Sequence, residues 1–544
     1  MLVLLMQFPE QEDVDMIPAP VVHEFFNDDD IDSKFYPTGS LKQYLQVLSH
    51  HQLTIRPTVI PWFVVANTTE AQCSFGNFGL DVRFAECFAP ILDALDQVHL
   101  RTDNPFQWED FDQNGDGFLD SLLVLHSGRG AEFGGESGRI MSHASGPPPQ
   151  PARWQSSVYD VQLGNYAVTS VFDGTEGTEM ARIGDVAHQV LHTLGLPDLY
   201  DGSKGLGSFV GGAGVYSVMS SLGGNSSGGH LDPWSKIQLG WVRPVTISVD
   251  GNYTLRNAQE FAEVFKIDGP FPEGEYLLIE NRQQLLYDVE LPGEGVLIWH
   301  IDEEVEGNDN AGYPGQEGWP ENGNHYQVAV IQADGLFDLE KGVNQGDEGD
   351  FFISGRGVGP GFNGFVPNTD SYQNGTIVQT GIVISNFVRN DTVMTFQVTG
   401  LGEAMDVIPS NFPTVESNEN ECLVNVNTRL CDEAMVNVEL VEECSCYNFC
   451  ANGKPQTCAP AGGMPIINCQ EGPLIAGCRL ELEELPSLND TTIDLTEPMT
   501  RDTASLVPED EGGNDDSSGE RTTVVLRTKY AIVTCLILTY CIIA

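Results

Sequence analysis

"VAHQVLHTLGLPDLYD", Val186 to Asp201, is the stretch on which the reading of this chain turns. His188 and His192 stand four residues apart, and on a helix residues at that spacing share a face. Two imidazole nitrogens then reach one point, where a zinc ion sits about 2.0–2.1 Å from each. The pattern predicts a helix from Glu179 to Leu194, closed at Gly195 by a left-handed cap. The turn at Gly195 allows Asp198 to come back as a third, oxygen ligand. Three protein ligands leave the fourth position to water, the arrangement of a catalytic rather than a structural zinc site. A bare His-x-x-x-His is more often a pair of ordinary helix histidines; the adjoining "LGLPDLYD" is what shifts the reading toward a metal.

The order His-x-x-x-His-x-x-Gly-x-x-Asp resembles the metzincin pattern, with aspartate where a third histidine usually stands. More specifically, "HTLGLPDLYD", "VYSVMSSLGG" and "HLDPWSKIQLGW" resemble the immune inhibitor A-like secreted zinc metallopeptidases. The likeness extends through "DFDQNGDGFLDSLLVLHSGRGAEFGG", "LPGEGVLIWHIDEE" and "VAVIQADGLFDLEKGVNQGDEGDFF", over roughly 64–400. It implies a polypeptide substrate or ligand, Met219 as the methionine of the turn beneath the metal, and the Trp234 to Trp241 segment packed behind it. It also exposes a departure. The family carries a glutamate between the histidines as general base, and this chain has Gln189, which matches its shape but cannot accept a proton. A metal-loaded, catalytically crippled site is the expectation. The alternative is a catalytically inactive pseudoprotease that acts as a polypeptide-binding or adhesion protein.

"DQNGDGFLD" places Asp112, Asn114, Asp116 and Asp120 at the alternate spacing that wraps oxygens around calcium. It resembles the first part of an EF-hand loop but has Leu123 where the closing glutamate would stand, and a surface turn would look similar. A second acidic run offers Asp338, Asn344, Asp347 and Asp350 as oxygen ligands, or as a solvated loop. His126, His143 and His300 read as structural histidines. Zinc and calcium are therefore the cofactors expected.

Charge narrows the partners: 25 Lys and Arg against 79 Asp and Glu leave a net charge of -54, which disfavours nucleic acid and anionic membrane surfaces. The chain has 12 cysteines, and eight crowd 422–478, the usage of an oxidised extracellular module. Cys73 and Cys87 are a candidate pair, and a zinc reading of "CSCYNFC" is the weaker alternative for the cluster. Sequons at Asn67, Asn225, Asn252, Asn374, Asn390 and Asn489 agree with a secretory route. "MLVLLM" lacks the basic flank and length of a signal peptide. At the other end, Ser517, Ser518 and Gly519, a spacer, and the apolar "AIVTCLILTYCIIA" fit a glycosylphosphatidylinositol attachment signal. A short tail anchor, or an apolar end without a role, fits as well. The protein is thus expected outside the cell or at its surface, with membrane attachment through the tail as one reading.

The fold expected is an α/β zincin-like metalloprotease domain followed by an antiparallel β-sandwich, a disulfide-rich module and a hydrophobic C-terminal tail. The divisions are an acidic lead or propeptide remnant at 1–40, the metallopeptidase-like domain at 41–244 and the β-sandwich at 245–400. A linker at 401–420, the cysteine-rich module at 421–480, an acidic stalk at 481–529 and the tail at 530–544 complete them.

Overall fold

The computed structural model describes residues 1–402 apart from 30–38, 66–67, 81–90, 93, 99–105, 135, 147–153, 157–160, 178, 205–210 and 221–227. Beyond them it describes the backbone of 456–458, 466–469 and 478–481. Two compact units are present, Met1–Asp406 and Val407–Ala544.

The first unit begins with strand β1, Leu2–Gln7, which lies between β2, Thr58–Val64, and β3, Leu122–Arg129. Next to β3 comes β5, Tyr166–Asp173, flanked by β4, His143–Ser145, and paired also with the short β6, Glu179–Met180. β1, β2, β3 and β5 run parallel, whereas β4 and β6 pair with β5 antiparallel. Successive side chains of a strand point to opposite faces, and β1 shows the result. Val3 and Leu5 enter one core while Leu2, Leu4 and Met6 enter another. β3 divides the same way, Leu123 and Leu125 against Leu122 and Val124. A sheet buried on both faces needs near-continuous apolar strands, which "LVLLM" and "LLVL" supply.

The first face is covered by α1, Ala19–Asn27, α2, Leu41–Leu48, and, after the short α3 at Glu70–Ser74, by the central helix α4, Ile183–Thr193. α2 starts where the sequence signals it. Ser40 Oγ accepts from the Gln43 amide at 3.3 Å and the Gln43 side chain accepts from the Ser40 amide at 3.1 Å, a reciprocal cap. α4 buries Ile183, Val186, Ala187, Val190 and Leu191 in that core. It starts later than its apolar pattern suggests because Phe172 and Asp173 draw Met180 and Glu179 into β6, and Arg182 keeps an extended backbone as N-cap.

After α5, Pro233–Gln238, come β7, Val245–Thr246, β8, Gly251–Leu255, β9, Phe265–Ile267, β10, Glu275–Arg282, β11, Gly295–Asp302, and β12, Val328–Ile331. The short helix α6, Asp338–Lys341, then precedes the hairpin of β13, Val383–Asn390, and β14, Val393–Thr399. One sheet runs β12-β11-β10-β9-β7 and a second β13-β14-β8. Leu278, Leu297, Trp299, Ile301 and Val330 share the core of α4, while Leu277, Ile279, Val296 and Ile298 face the second sheet. α4 is thus held between two sheets.

The expected architecture is corrected at several points. The strands after Pro244 do not form a separate antiparallel sandwich: β7 pairs β9 parallel, and β10 to β12 share one core with α4 because both of their faces are apolar. Residues read as a lead segment include β1, a wholly buried interior strand of the first sheet, between β2 and β3. No disulfide-rich module is found among the described residues. In the second unit they form a three-stranded antiparallel sheet, β15 Gln456–Cys458, β16 Ile466–Cys469 and β17 Cys478–Glu481. The half-cystine described, Cys73, belongs to the first unit, and Cys87 lies outside the described residues. No helix among the described residues is long and apolar enough to cross a membrane; the tail at 530–544, with Ser517, Ser518 and Gly519, lies outside them.

Candidate metal centre

The last turns of α4 place His188 and His192 one above the other on a single face. A backbone carbonyl can only accept, so His188 Nδ1 donates to Val218 O at 2.9 Å and His192 Nδ1 donates to Leu196 O at 2.7 Å. Each ring proton is spent there, and each Nε2 is left with a lone pair. Those two Nε2 atoms lie 2.9 Å apart. Gly195, at φ +98°, lets the chain leave the helix in the left-handed region, and Asp198 returns with Oδ1 3.1 Å from His188 Nε2 and 3.2 Å from His192 Nε2. Three electron-rich atoms this close repel one another unless a cation lies among them. Donors each ~2.0–2.1 Å from one tetrahedral zinc are about 3.3 Å apart. The donor set therefore fits zinc, and the two Nδ1–carbonyl bonds are the outer contacts that orient such ligands.

The electrostatics follow the same arrangement. Burial pushes the Asp198 carboxyl up, but the two imidazoles beside it outweigh this and hold it below the usual carboxylate range. Burial and the neighbouring His192 lower His188. For His192 burial also works downward, yet Asp198 raises it overall.

Four other residues complete the surroundings. Gln189, which follows His188 on α4, is 1% exposed, and its Oε1 has no hydrogen-bond partner among the described residues. Met219 is fully buried, and its carbonyl accepts from the Leu199 amide at 2.8 Å, tying the turn that carries it to the residue after Asp198. Behind it Asp232 caps α5, accepting from the Ser235 amide at 2.8 Å and from Ser217 Oγ at 2.6 Å. The sequence reading passed over Tyr200. Its ring lies along that of His188, with centroids 6.5 Å apart and planes at 21°.

The expected calcium loop is different in kind. Asp112 accepts from the Asp116 and Gly117 amides, each at 3.0 Å, Asp116 Oδ1 accepts from the Phe118 amide at 2.9 Å, and Asp120 Oδ2 accepts from the Gln113 amide at 3.0 Å. Asn114 Oδ1 also accepts from the Asp116 amide, at 3.0 Å. The side chains fold the turn around its own backbone, and they do not converge as the His188 group does. In the second acidic run the residues brought together are Asp334, Asp347 and Asp350. Asp338 instead heads α6, and Asn344 donates to Asp347 at 2.7 Å. His126 and His300 are buried, and His300 Nε2 meets Glu275 Oε1 at 2.6 Å as a structural pair. Asn252, Asn374 and Asn390 are exposed, and Asn67, Asn225 and Asn489 lie outside the described residues.

An α/β core carrying two histidines one helical turn apart, with an aspartate on the exit loop, is metallopeptidase-like. Comparison with known proteins points the same way: residues 24–243 match the family model described as Immune inhibitor A peptidase M6, catalytic domain. Immune inhibitor A of Bacillus thuringiensis subsp. alesti is 27% identical over 227 residues, a match covering 37% of this chain and 33% of that protein. The match thus spans about a third of that relative.

Proposed function

We propose that this chain is an extracellular or cell-surface zinc metallopeptidase-family protein whose peptide-bond hydrolysis is strongly impaired. His188, His192 and Asp198 would hold the zinc, which when bound would polarise a water or a peptide carbonyl. Met219 would be the methionine of the turn beneath it. Gln189 occupies the place of the general base. Its amide oxygen can accept a hydrogen bond from water but cannot take up the proton, so the chain can hold and orient a polypeptide at the site without moving that proton. The observation that carries the reading is the convergence of His188 Nε2, His192 Nε2 and Asp198 Oδ1 within 2.9–3.2 Å of one another. An intact ligand set beside an altered base equally supports a second reading, a pseudoprotease that retains the cleft for binding polypeptides.

The test is casein hydrolysis by the full chain beside its Gln189→Glu variant. General acid–base assistance is worth roughly 10²–10⁴ in rate, so Gln189→Glu is expected to gain chelator-sensitive cleavage by about that factor. Equal cleavage by the two would overturn the role given to Gln189.

A further inference from the structure

The stretch between β11 and β12 lies largely at the surface, with Glu303, Glu304, Glu306, Asp309 and Asn310 all exposed, yet Asn308 within it is 2% exposed. A buried carboxamide is costly unless its donors and acceptor are met. Here all are met. Val328 opens β12, the edge strand of its sheet. The Asp302 amide of β11 donates to the carbonyl of the preceding Gln327 at 3.0 Å, so the polar groups of Val328 point to the open side. Asn308 fills that side: its Oδ1 accepts from the Val328 amide at 3.0 Å and its Nδ2 donates to the Val328 carbonyl at 2.9 Å. The other proton of Nδ2 goes to Leu199 O, at 2.9 Å. Two carbonyls require the nitrogen and one amide requires the oxygen, so the carboxamide fits only one way round.

Leu199 is the residue after Asp198 and is fully buried. Its amide donates to Met219 O at 2.8 Å, and its carbonyl also accepts from the Ala213 amide at 2.8 Å and from Ser220 Oγ at 3.1 Å. Those partners belong to the same excursion between α4 and α5 as Asp198, so they tie that excursion to itself. Asn308 ties it to a sheet. Val328 and Val330 of β12 share the core of α4, which carries the two histidines. The bond matters because Asp198 is the least enclosed of the three converging groups: its side chain is 40% exposed, against 1% for His188 and 11% for His192.

We propose that Asn308 is a positioning residue for the metal centre: its carboxamide carries the fixed place of β12 to Leu199 and so holds Asp198 within reach of the two imidazoles before a metal arrives. The inference rests on the zinc reading above and adds a residue to it. Asn308 acts through the backbone of Leu199 and on zinc affinity, whatever the state of the base at Gln189.

The experiment is zinc affinity of the metal-free full chain, measured by competition with a chromophoric chelator, in a double-mutant cycle. Loss of an outer contact to a ligand typically costs 10–100-fold in metal affinity; Asn308 grips the neighbouring residue, so Asn308→Ala is expected to weaken zinc by about tenfold. Asn308→Asp keeps the acceptor for the Val328 amide, loses both donors and should weaken zinc as well. In an Asp198→Ala background Asn308→Ala should have no further effect on affinity, an outcome that a general loosening of the fold would not give. Hydrogen exchange over 196–201, followed by mass spectrometry, tests the same hold without a variant: the metal-free unmodified chain should be protected there as well as the zinc-loaded one. Equal zinc affinity for the unmodified chain and both Asn308 variants would overturn the inference. So would an equal loss in the Asp198→Ala background, or free exchange over 196–201 until zinc is added. If the unmodified chain is protected over 196–201 but binds no zinc, the functional reading fails, and the role given to Asn308 at a metal centre with it.

Discussion

Nε2 of His188 lies 2.9 Å from Nε2 of His192, while both rings spend their Nδ1 protons on backbone carbonyls. Two lone pairs meet at that distance, and the Asp198 carboxylate adds a third donor. Replacing either ring should therefore abolish zinc uptake: His188→Gln and His192→Gln are each expected to bring bound zinc from about one per chain to none. Metal analysis after dialysis against a weak chelator reads the result, and full retention of zinc by either variant would contradict the assignment.

β1 is a structural centre of the first unit, with Leu5 fully buried beside Leu123, Leu125 and the residues of α4. Leu5→Ala removes most of a buried side chain and leaves a cavity, at a cost of about 2–5 kcal/mol. Urea unfolding of the full chain should show its first-unit transition shifted to lower denaturant by that amount. A shift below about 0.5 kcal/mol, the scale of a surface change, would mean that β1 is not part of the core.

Glu340 provides a test in pH. Burial is the main cause that raises its carboxyl from 4.5 to about 7, with the charge of Asp350 assisting and the Gln332 hydrogen bond opposing. A folded value above the unfolded one means the native state binds the proton more tightly. The stabilising contribution of this group is therefore full below pH 4.5 and is lost as pH rises through about 7. Glu340→Gln, neutral at every pH, should stabilise the protein at pH 8 relative to the unmodified chain by about 1–3 kcal/mol, and much less at pH 5. Thermal unfolding at the two values measures this; a difference independent of pH would show that Glu340 does not titrate in the range.

Much of the centre was legible in sixteen residues because its geometry is local. His188, His192, Gly195 and Asp198 are related by one helix and one turn, and helical spacing with a glycine exit carries that information. α2 was legible for a similar reason, since Ser40 and Gln43 announce its start. β1 was not: a short apolar run has the same letters whether it begins a secreted chain or fills a sheet, and its parallel neighbours start at Thr58 and Leu122. The joining of β10 to β12 with α4 escaped notice because strand texture does not say which faces are covered. Asp334 escaped because it meets Asp347 and Asp350 only when the end of β12 and the loop after α6 fold together. Tyr200 was in plain view, but its place beside the His188 ring depends on how the loop after Gly195 folds back.

The central claim is that His188, His192 and Asp198 together hold one zinc ion, and X-ray absorption at the zinc edge on the purified, zinc-loaded full chain tests it most directly. The account predicts about one zinc per chain with two imidazole nitrogens and carboxylate or water oxygens at about 2.0–2.2 Å, and loss of the carboxylate contribution in Asp198→Ala. A chain that takes up no zinc, or a zinc bound through sulfur, would contradict it.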